Sequence, residues 1–214
     1  MADKPGDVLK PVSPGEVALK MRIDYSRGVR DHITKNLEAI TELCRRLEHP
    51  VDLSIFATEA ADLICKNMTI ESVAICVRDP DRLYRYKSTV GLDDGVADAL
   101  RALSYRRDEL LESATYPNHE ISERTRLFLA EEHPYASGEE NTYRRPGLMG
   151  LRRRTVTDCL EADYLDFFFY GPDGDIAGFI ETSGTRLKKL PDTETIRWIE
   201  LVAEVLGLAV QRTA

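Results

Sequence analysis

The chain has 214 residues, 43% of them hydrophobic, and a formal net charge of −8. That length buries one good core and hardly a second. The acidic balance argues against a protein that works by gripping nucleic-acid backbone, and no apolar run approaches the ~20 residues of a membrane helix.

The N-terminus lacks the apolar segment of a signal peptide. Four cysteines, Cys44, Cys65, Cys76 and Cys159, are scattered without a CxxC spacing. Reduced thiols and a cytoplasmic location are the expectation, with neither nucleic acid nor membrane as a direct partner.

Residues 1–20 hold Pro5, Pro11 and Pro14 with Gly6 and Gly15, which reads as a flexible arm. Residues 21–50 read as an N-terminal helix, capped by Asp24 or Ser26 and running to about Leu47. Its Ile33, Leu37, Ile40, Cys44 and Leu47 are spaced 4, 3, 4, 3, a seam that serves a coiled coil or packing within one domain. Residues 51–214 form the main domain. Asp52 caps a second helix, whose Leu53, Phe56, Ala57, Ala60 and Ile64 share one face.

Two strand-like runs follow, at about 72–78 and 83–90, separated by the Asp79-Pro80-Asp81 turn. Asp93 or Asp94 caps a helix carrying Val96, Leu100 and Leu103. Ser122 to Glu132 reads as helical, and His133 to Arg154 as a long loop of the kind that is often functional. Two further strands, at about 164–170 and 176–183, flank the Gly171-Pro172-Asp173-Gly174 turn and form a hairpin. The last helix covers about 192–212 and has two apolar seams. Ile196, Ile199, Val202/Ala203, Leu206 and Val210 make one; Trp198, Leu201, Val205 and Leu208 make the other. A polar stripe at Thr193, Arg197, Glu200, Glu204, Gly207 and Gln211 is left for water. Two seams predict two packing partners, a sheet and another helix. Two hairpins and their helices make an α+β domain around an antiparallel sheet.

The run Val73-Ala74-Ile75-Cys76-Val77-Arg78-Asp79, with Tyr86-Lys87-Ser88-Thr89-Val90-Gly91-Leu92, resembles the opening hairpin of GAF domains. Phe167 to Ile180 is similar to the closing hairpin of that family, a strand, an Asp-Gly turn and a glycine-containing strand. A terminal helix starting at Pro191-Asp192-Thr193-Glu194 agrees with it. The resemblance covers about Asp52 to Arg212. It implies a central antiparallel sheet with helices on both faces, the first and last helices packed together and often at a dimer interface. It also implies a small-molecule pocket on one sheet face, roofed by the segments between the hairpins. No cysteine is placed as in the bilin-attaching forms, and the Asn-Lys-Phe-Asp-Glu motif of the cyclic-nucleotide-binding forms is absent, so no ligand or cofactor carries over.

Arg144, Arg145, Arg152, Arg153 and Arg154 fall where the resemblance puts the pocket roof. Guanidinium forks suit carboxylates and phosphates. The plainer reading is a solvated basic stretch answering Glu131, Glu132, Glu139 and Glu140. Tyr135 and Tyr143 are candidates to stack on a ring-shaped ligand. Alternation puts Asp166, Phe168 and Tyr170 on one side of their strand, and the apolar set Leu165, Phe167 and Phe169 on the other, toward the helices. The ligand-binding set expected from the sequence is therefore Tyr135, Tyr143, Arg144, Arg145, Arg153, Asp166, Phe168 and Tyr170, around an aromatic body with an anionic group. His133 with Glu131 and Glu132 has no spacing of a closed metal site. His32 has no kinase domain to serve it, and Cys159 reads by default as a small buried hydrophobe.

The leading expectation is a sensory domain that binds a small molecule and reports through its terminal helices, as a homodimer, to a signalling partner such as a kinase or transcription regulator. A ligand-free dimeric interaction module of the same fold is the alternative. A redox enzyme like the free methionine-R-sulfoxide reductases ranks behind both: they use clustered cysteines, and only Cys159 lies in the pocket region. No nucleophile–base or carboxylate pair stands out by spacing.

Overall fold

The alternation along Tyr164–Tyr170 sets the architecture, because each second residue of this strand belongs to a different layer. The computed structural model describes residues 19, 32–132, 139, 141–145, 148 and 151–213. In chain order the elements are α1 (His32–Arg46), α2 (Leu53–Asn67), β1 (Val73–Arg78), β2 (Tyr84–Val90), α3 (Asp94–Ala102), α4 (Arg107–Leu111), β3 (His119–Glu120), β4 (Thr125–Phe128), β5 (Tyr164–Tyr170), β6 (Ile176–Thr182) and α5 (Thr193–Thr213). The six strands form one antiparallel sheet in the order β2-β1-β6-β5-β4-β3. The four strands expected from the sequence are all in it, and the last helix is where its seams put it.

Leu165, Phe167 and Phe169 enter the larger core with Val73, Ile75, Val77 and Ile180 from the sheet and Phe56, Ile64, Ile199 and Leu206 from the helices. Phe168 and Tyr170 join a smaller cluster on the opposite face, with Tyr84, Tyr86, Phe179 and Leu100. Helices α1, α2 and α5 pack together on the first face. On the second face, α3 lies over β2. Asp52 caps α2 by accepting the N–H groups of Ser54 (2.9 Å) and Ile55 (3.1 Å). Asp192 does the same for α5 through Thr195 N–H, 2.8 Å.

Ser122 to Glu132 is not helical. Thr125–Phe128 is a strand, paired with β5. Leu127 and Leu129 are two apart, a spacing that suits a strand better than a helix, and the open edge of β5 supplies backbone partners that no local pattern reveals. Thr125 and Leu127 sit opposite Phe167 and Leu165 on the helix side, while Arg126 and Phe128 sit opposite Asp166 and Tyr164 on the other.

Part of the stripe of α5 expected to face water meets the sheet instead, at Glu200, Glu204 and Gly207, while Thr193, Arg197 and Gln211 are exposed as expected. The hydroxyls of Ser122 and Thr125 both donate to Glu200, the Thr125 bond at 2.7 Å, and Arg124 pairs with Glu204. Gly207 is buried where α5 crosses the end of β5, and a Cβ there would lie 2.9 Å from the Tyr170 carbonyl oxygen. The α1 seam is also displaced. Asn36, Ile40, Leu43 and Leu47 are buried against the domain, whereas Ile33 and Leu37 are 50% and 54% exposed and Cys44 is exposed. Both sets have helical spacing, and the sequence alone does not say which one the domain covers. Whether an arm precedes α1 lies outside the described residues. No helix among them is long and apolar enough to cross a membrane.

Gly178 is needed for close approach. It faces Phe169 across the β5–β6 ladder, and a Cβ on it would stand 2.3 Å from Phe169 Cζ and 2.2 Å from the Cys76 carbonyl oxygen. Gly178→Ala should lower the urea midpoint at unchanged slope, by about 1–3 kcal/mol. Glu200→Ala should cost about as much, since it strands the buried Thr125 hydroxyl. Thr125→Val added to it should recover part of that loss in a double-mutant cycle.

Candidate ligand cavity

The face of the sheet away from the three long helices is the floor of a cavity of about 140 Å³. Ala74 of β1, Tyr86 of β2, Phe179 and Glu181 of β6, Asp166 and Tyr164 of β5 and Phe128 of β4 form the floor. The roof comes from the segments between the hairpins. Leu92, Leu100, Leu103, Tyr105, Leu110 and Tyr116 line it on one side, and Glu139, Thr142 to Arg145 and Cys159 to Asp163 on the other. Aromatic rings stiffen the floor. Phe128 stacks on Tyr164 at 4.3 Å between centroids, and Tyr86 meets Phe179 and Tyr105 edge to face at 5.9 and 6.3 Å.

Basic side chains gather at one end, and protein carboxylates occupy them. Arg144 Nη1 lies 2.5 Å and Arg145 Nη2 3.4 Å from Glu71, and Lys188 also pairs with it. Arg145 binds Glu161 as well, through Nε at 3.0 Å and its backbone N–H at 2.7 Å. Burial alone would push the Glu71 carboxyl up, but Lys188, Arg145 and Arg144 together hold it below the usual range. Arg153 Nη2 bridges Glu131 and Asp163, each at 2.9 Å. Asp163, its side chain fully buried, also accepts the N–H groups of Ala130 (2.9 Å) and Leu160 (2.7 Å). Arg153 and Asp163 thus tie β5 to the connection that precedes it.

The other end is different. Asp166 and Glu181 are directly opposite each other across the β5–β6 ladder, on the cavity side. Glu181 Oε2 accepts the Tyr86 hydroxyl at 2.5 Å, and Glu139 accepts Tyr116 at 2.8 Å and Tyr105 at 3.5 Å. Asp166 is 6% exposed, and its Oδ1 has no hydrogen-bond partner among the described residues. Burial and the facing Glu181 charge drive the Asp166 carboxyl far above its ordinary range. Burial pushes Glu181 up to about 7, against the hydrogen bond from Tyr86 and with the charge of Glu139 adding to it. Two like charges opposite each other in a sheet are destabilising, and sharing a proton relieves the pair.

Of the residues singled out in the sequence, Tyr143, Arg144, Arg145 and Asp166 line the cavity. Arg153, Phe168 and Tyr170 do not. Phe168 lies on the cavity side of β5 but is covered by Phe179, and Tyr170 stands at the strand end under the Arg124 guanidinium, 4.9 Å from the ring centroid. Tyr135 and His133 lie outside the described residues. Glu181, Glu139, Tyr86, Tyr105 and Tyr116 were not singled out. Glu181 had a partial signal: alternation puts it on the same face as Asp166, but counting back from the Gly171–Gly174 turn reaches Phe179, and an irregularity in register between Phe169 and Tyr170 brings Glu181 opposite Asp166 instead. Glu139 and the roof tyrosines had none. Among the described residues no group of three His, Cys, Asp or Glu is placed to hold a metal. Burial pushes the Cys159 thiol up to about 12, which starves it of thiolate.

No family model and no curated protein matches the sequence. Solved structures do match. A GAF domain of A. aeolicus in an inactive state is 13% identical, with a TM-score of 0.54 over 86% of this chain and 99% of that one. The GAF domain/HD domain protein of Geobacter sulfurreducens gives 14% identity and 0.53, over 74% and 92%. The GAF domain of a phosphoenolpyruvate-protein phosphotransferase from Coxiella burnetii gives 10% and 0.52, over 83% and 93%. With TM-scores above 0.5 over most of both chains, these superpositions show that the chain has the fold of a GAF domain.

Proposed function

We propose that this domain is a sensory module that takes a small molecule into the cavity and reports its presence through α1 and α5. The observation that carries this reading is the cavity itself. It is walled by leucines and aromatic rings and holds a buried carboxyl oxygen without a partner, which is how a ligand site looks and how a finished core does not. The Asp166 and Glu181 carboxyls also argue against a purely architectural role, because a scaffold gains nothing from two facing buried acids.

A route from cavity to helices is built into β5. Asp166 faces the cavity, while its neighbours Leu165 and Phe167 are packed in the helix-side core with Ile199, Val202 and Leu206. A ligand that shifts this strand shifts the contacts of α5. Signalling requires only that the bound and empty states differ there. One of the matched GAF domains was solved in an inactive state, which supports reading the fold as one with more than one state.

The reading extends to a homodimer in the cytoplasm that passes its state to a signalling partner such as a kinase or transcription regulator. Ile33 and Leu37 on α1 and Leu201 and Leu208 on α5 are 40–54% exposed, an apolar surface of the kind that marks an interface. Leu37→Glu with Leu208→Glu should turn a sedimenting dimer into a monomer without loss of helical circular dichroism. Leu103→Trp, which fills the roof, should abolish ligand-induced thermal stabilisation and leave the dimer intact. If Leu103→Trp changed neither a co-purifying mass in native mass spectrometry nor any thermal shift, the ligand-free interaction module would be the better reading.

A further inference from the structure

The inner end of the cavity has a chemistry that narrows what it accepts. Asp166, Glu181 and Glu139 all line it, and no lysine or arginine among the described residues hydrogen-bonds to any of the three. The basic groups at the opposite end are engaged with Glu71 and Glu161. Arg126, opposite Asp166 on β4, turns its guanidinium away to the carbonyls of Ser122 (2.7 Å) and Thr125 (3.3 Å) and to Glu120 (3.2 Å). Among the described residues the Asp166 oxygen is thus an acceptor with nothing to accept from.

We propose that this end of the cavity binds the cationic head of a small organic amine or guanidine, seated between Asp166 and Glu181 under the rings of Tyr86, Tyr105 and Tyr164. The inference deepens the sensory reading and rests on it. A buried carboxylate needs a positive partner, and an entering ammonium supplies the hydrogen bonds that Asp166 lacks. Aromatic faces add attraction for a cation and none for an anion. The apolar walls at Leu92, Leu100, Leu103 and Leu110 suit a hydrophobic body attached to that head.

Proton release should accompany binding. In the empty protein the Asp166–Glu181 pair holds a proton, and a cation favours the doubly ionised pair. The groups around it on other elements are Tyr86, Tyr105, Cys76, Glu139 and Arg126. Burial raises Tyr86 and Cys76 well above their ordinary values and Tyr105 also upward, so these three stay neutral through the range of interest. Glu181 moves from an ordinary ~4.3 up to about 7, so affinity should rise with pH toward and through 7. The empty protein should do the reverse. A carboxyl raised on folding stabilises the fold while protonated, and that contribution fades as pH rises above its unfolded value and through its folded one.

The test compares 2-phenylethylamine, 2-phenylethanol and phenylacetate, one body with three charges, by thermal shift and calorimetry on the full chain. The amine should bind at least ten-fold more tightly than the other two, with up to about a ten-fold gain per pH unit while one proton is released. Asp166→Asn and Glu181→Gln should each weaken the amine ten-fold or more and flatten the pH dependence. Both relieve like-charge repulsion, so neither should lower the melting temperature of the empty protein at pH 8. Preference for the alcohol or the acid would overturn the cation assignment and leave the sensory reading standing. Amine binding indifferent to both substitutions would move the site elsewhere. If no probe of any charge bound, both readings of the cavity would fall together.

Discussion

The pairing of β5 with β6 is the interaction on which the rest of the molecule depends. It joins the β1–β2 hairpin to the β4–β3 edge, and its pleat divides the chain into a dry face and a lined one. A slip of one residue would send Leu165, Phe167 and Phe169 into the cavity and bring Asp166 into the helix core. Burial of three large apolar side chains against α2 and α5 therefore fixes the register. The same register sets Asp166 opposite Glu181. The acidic pair is held in place by the apolar half of the strand.

Charge in this domain is sorted by how well it is matched. Around the connection before β5 the rule is that a buried or half-buried acid has a cation or several N–H donors, as Asp163, Glu71 and Glu161 illustrate; Glu139, held by two tyrosine hydroxyls, departs from it. Such networks fix loops in place more than they add stability, because desolvation offsets much of the attraction. Asp166 and Glu181 break the rule within the same cavity. They lie on the two central strands of the sheet, where a costly local arrangement persists because the surroundings enforce it.

Much of the fold was legible because periodicity survives without knowledge of neighbours. The period-two runs around Gly171–Gly174 and the double seam of 193–213 have one structural solution each. Residues 122–132 were misread because a four-residue strand between β5 and β3 is specified by its partners more than by its own sequence. The face of α1 was misread for a related reason, since the apolar set from Ile33 to Leu47 has helical spacing, but tertiary packing buried the overlapping set Asn36, Ile40, Leu43 and Leu47, which begins with a polar residue. In the site, sequence pattern placed Asp166 toward the cavity and alternation put Glu181 on the same face, but the shifted register that pairs the two was not legible. Glu139, Tyr105 and Tyr116 were invisible, because irregular segments bring them together and no spacing rule describes such segments. The arginines stood out by composition, yet composition does not show that Glu71, Glu161, Glu131 and Asp163 had already taken them.

On the proposed reading, the same geometry couples ligand charge to helix position. Ionising both carboxyls of a cross-strand pair sets a repulsion across the β5–β6 ladder, and a bound cation removes it. The repulsion acts on the two strands whose opposite faces support α5, through Phe167, Phe169 and Ile180. Gly178 leaves no slack at that contact, since Phe169 covers it at a distance no Cβ would permit. A close-packed core transmits small displacements instead of absorbing them. On that reading, strain that starts between Asp166 and Glu181 is delivered to the α1–α5 pair, whose Leu37, Leu201 and Leu208 are half-exposed.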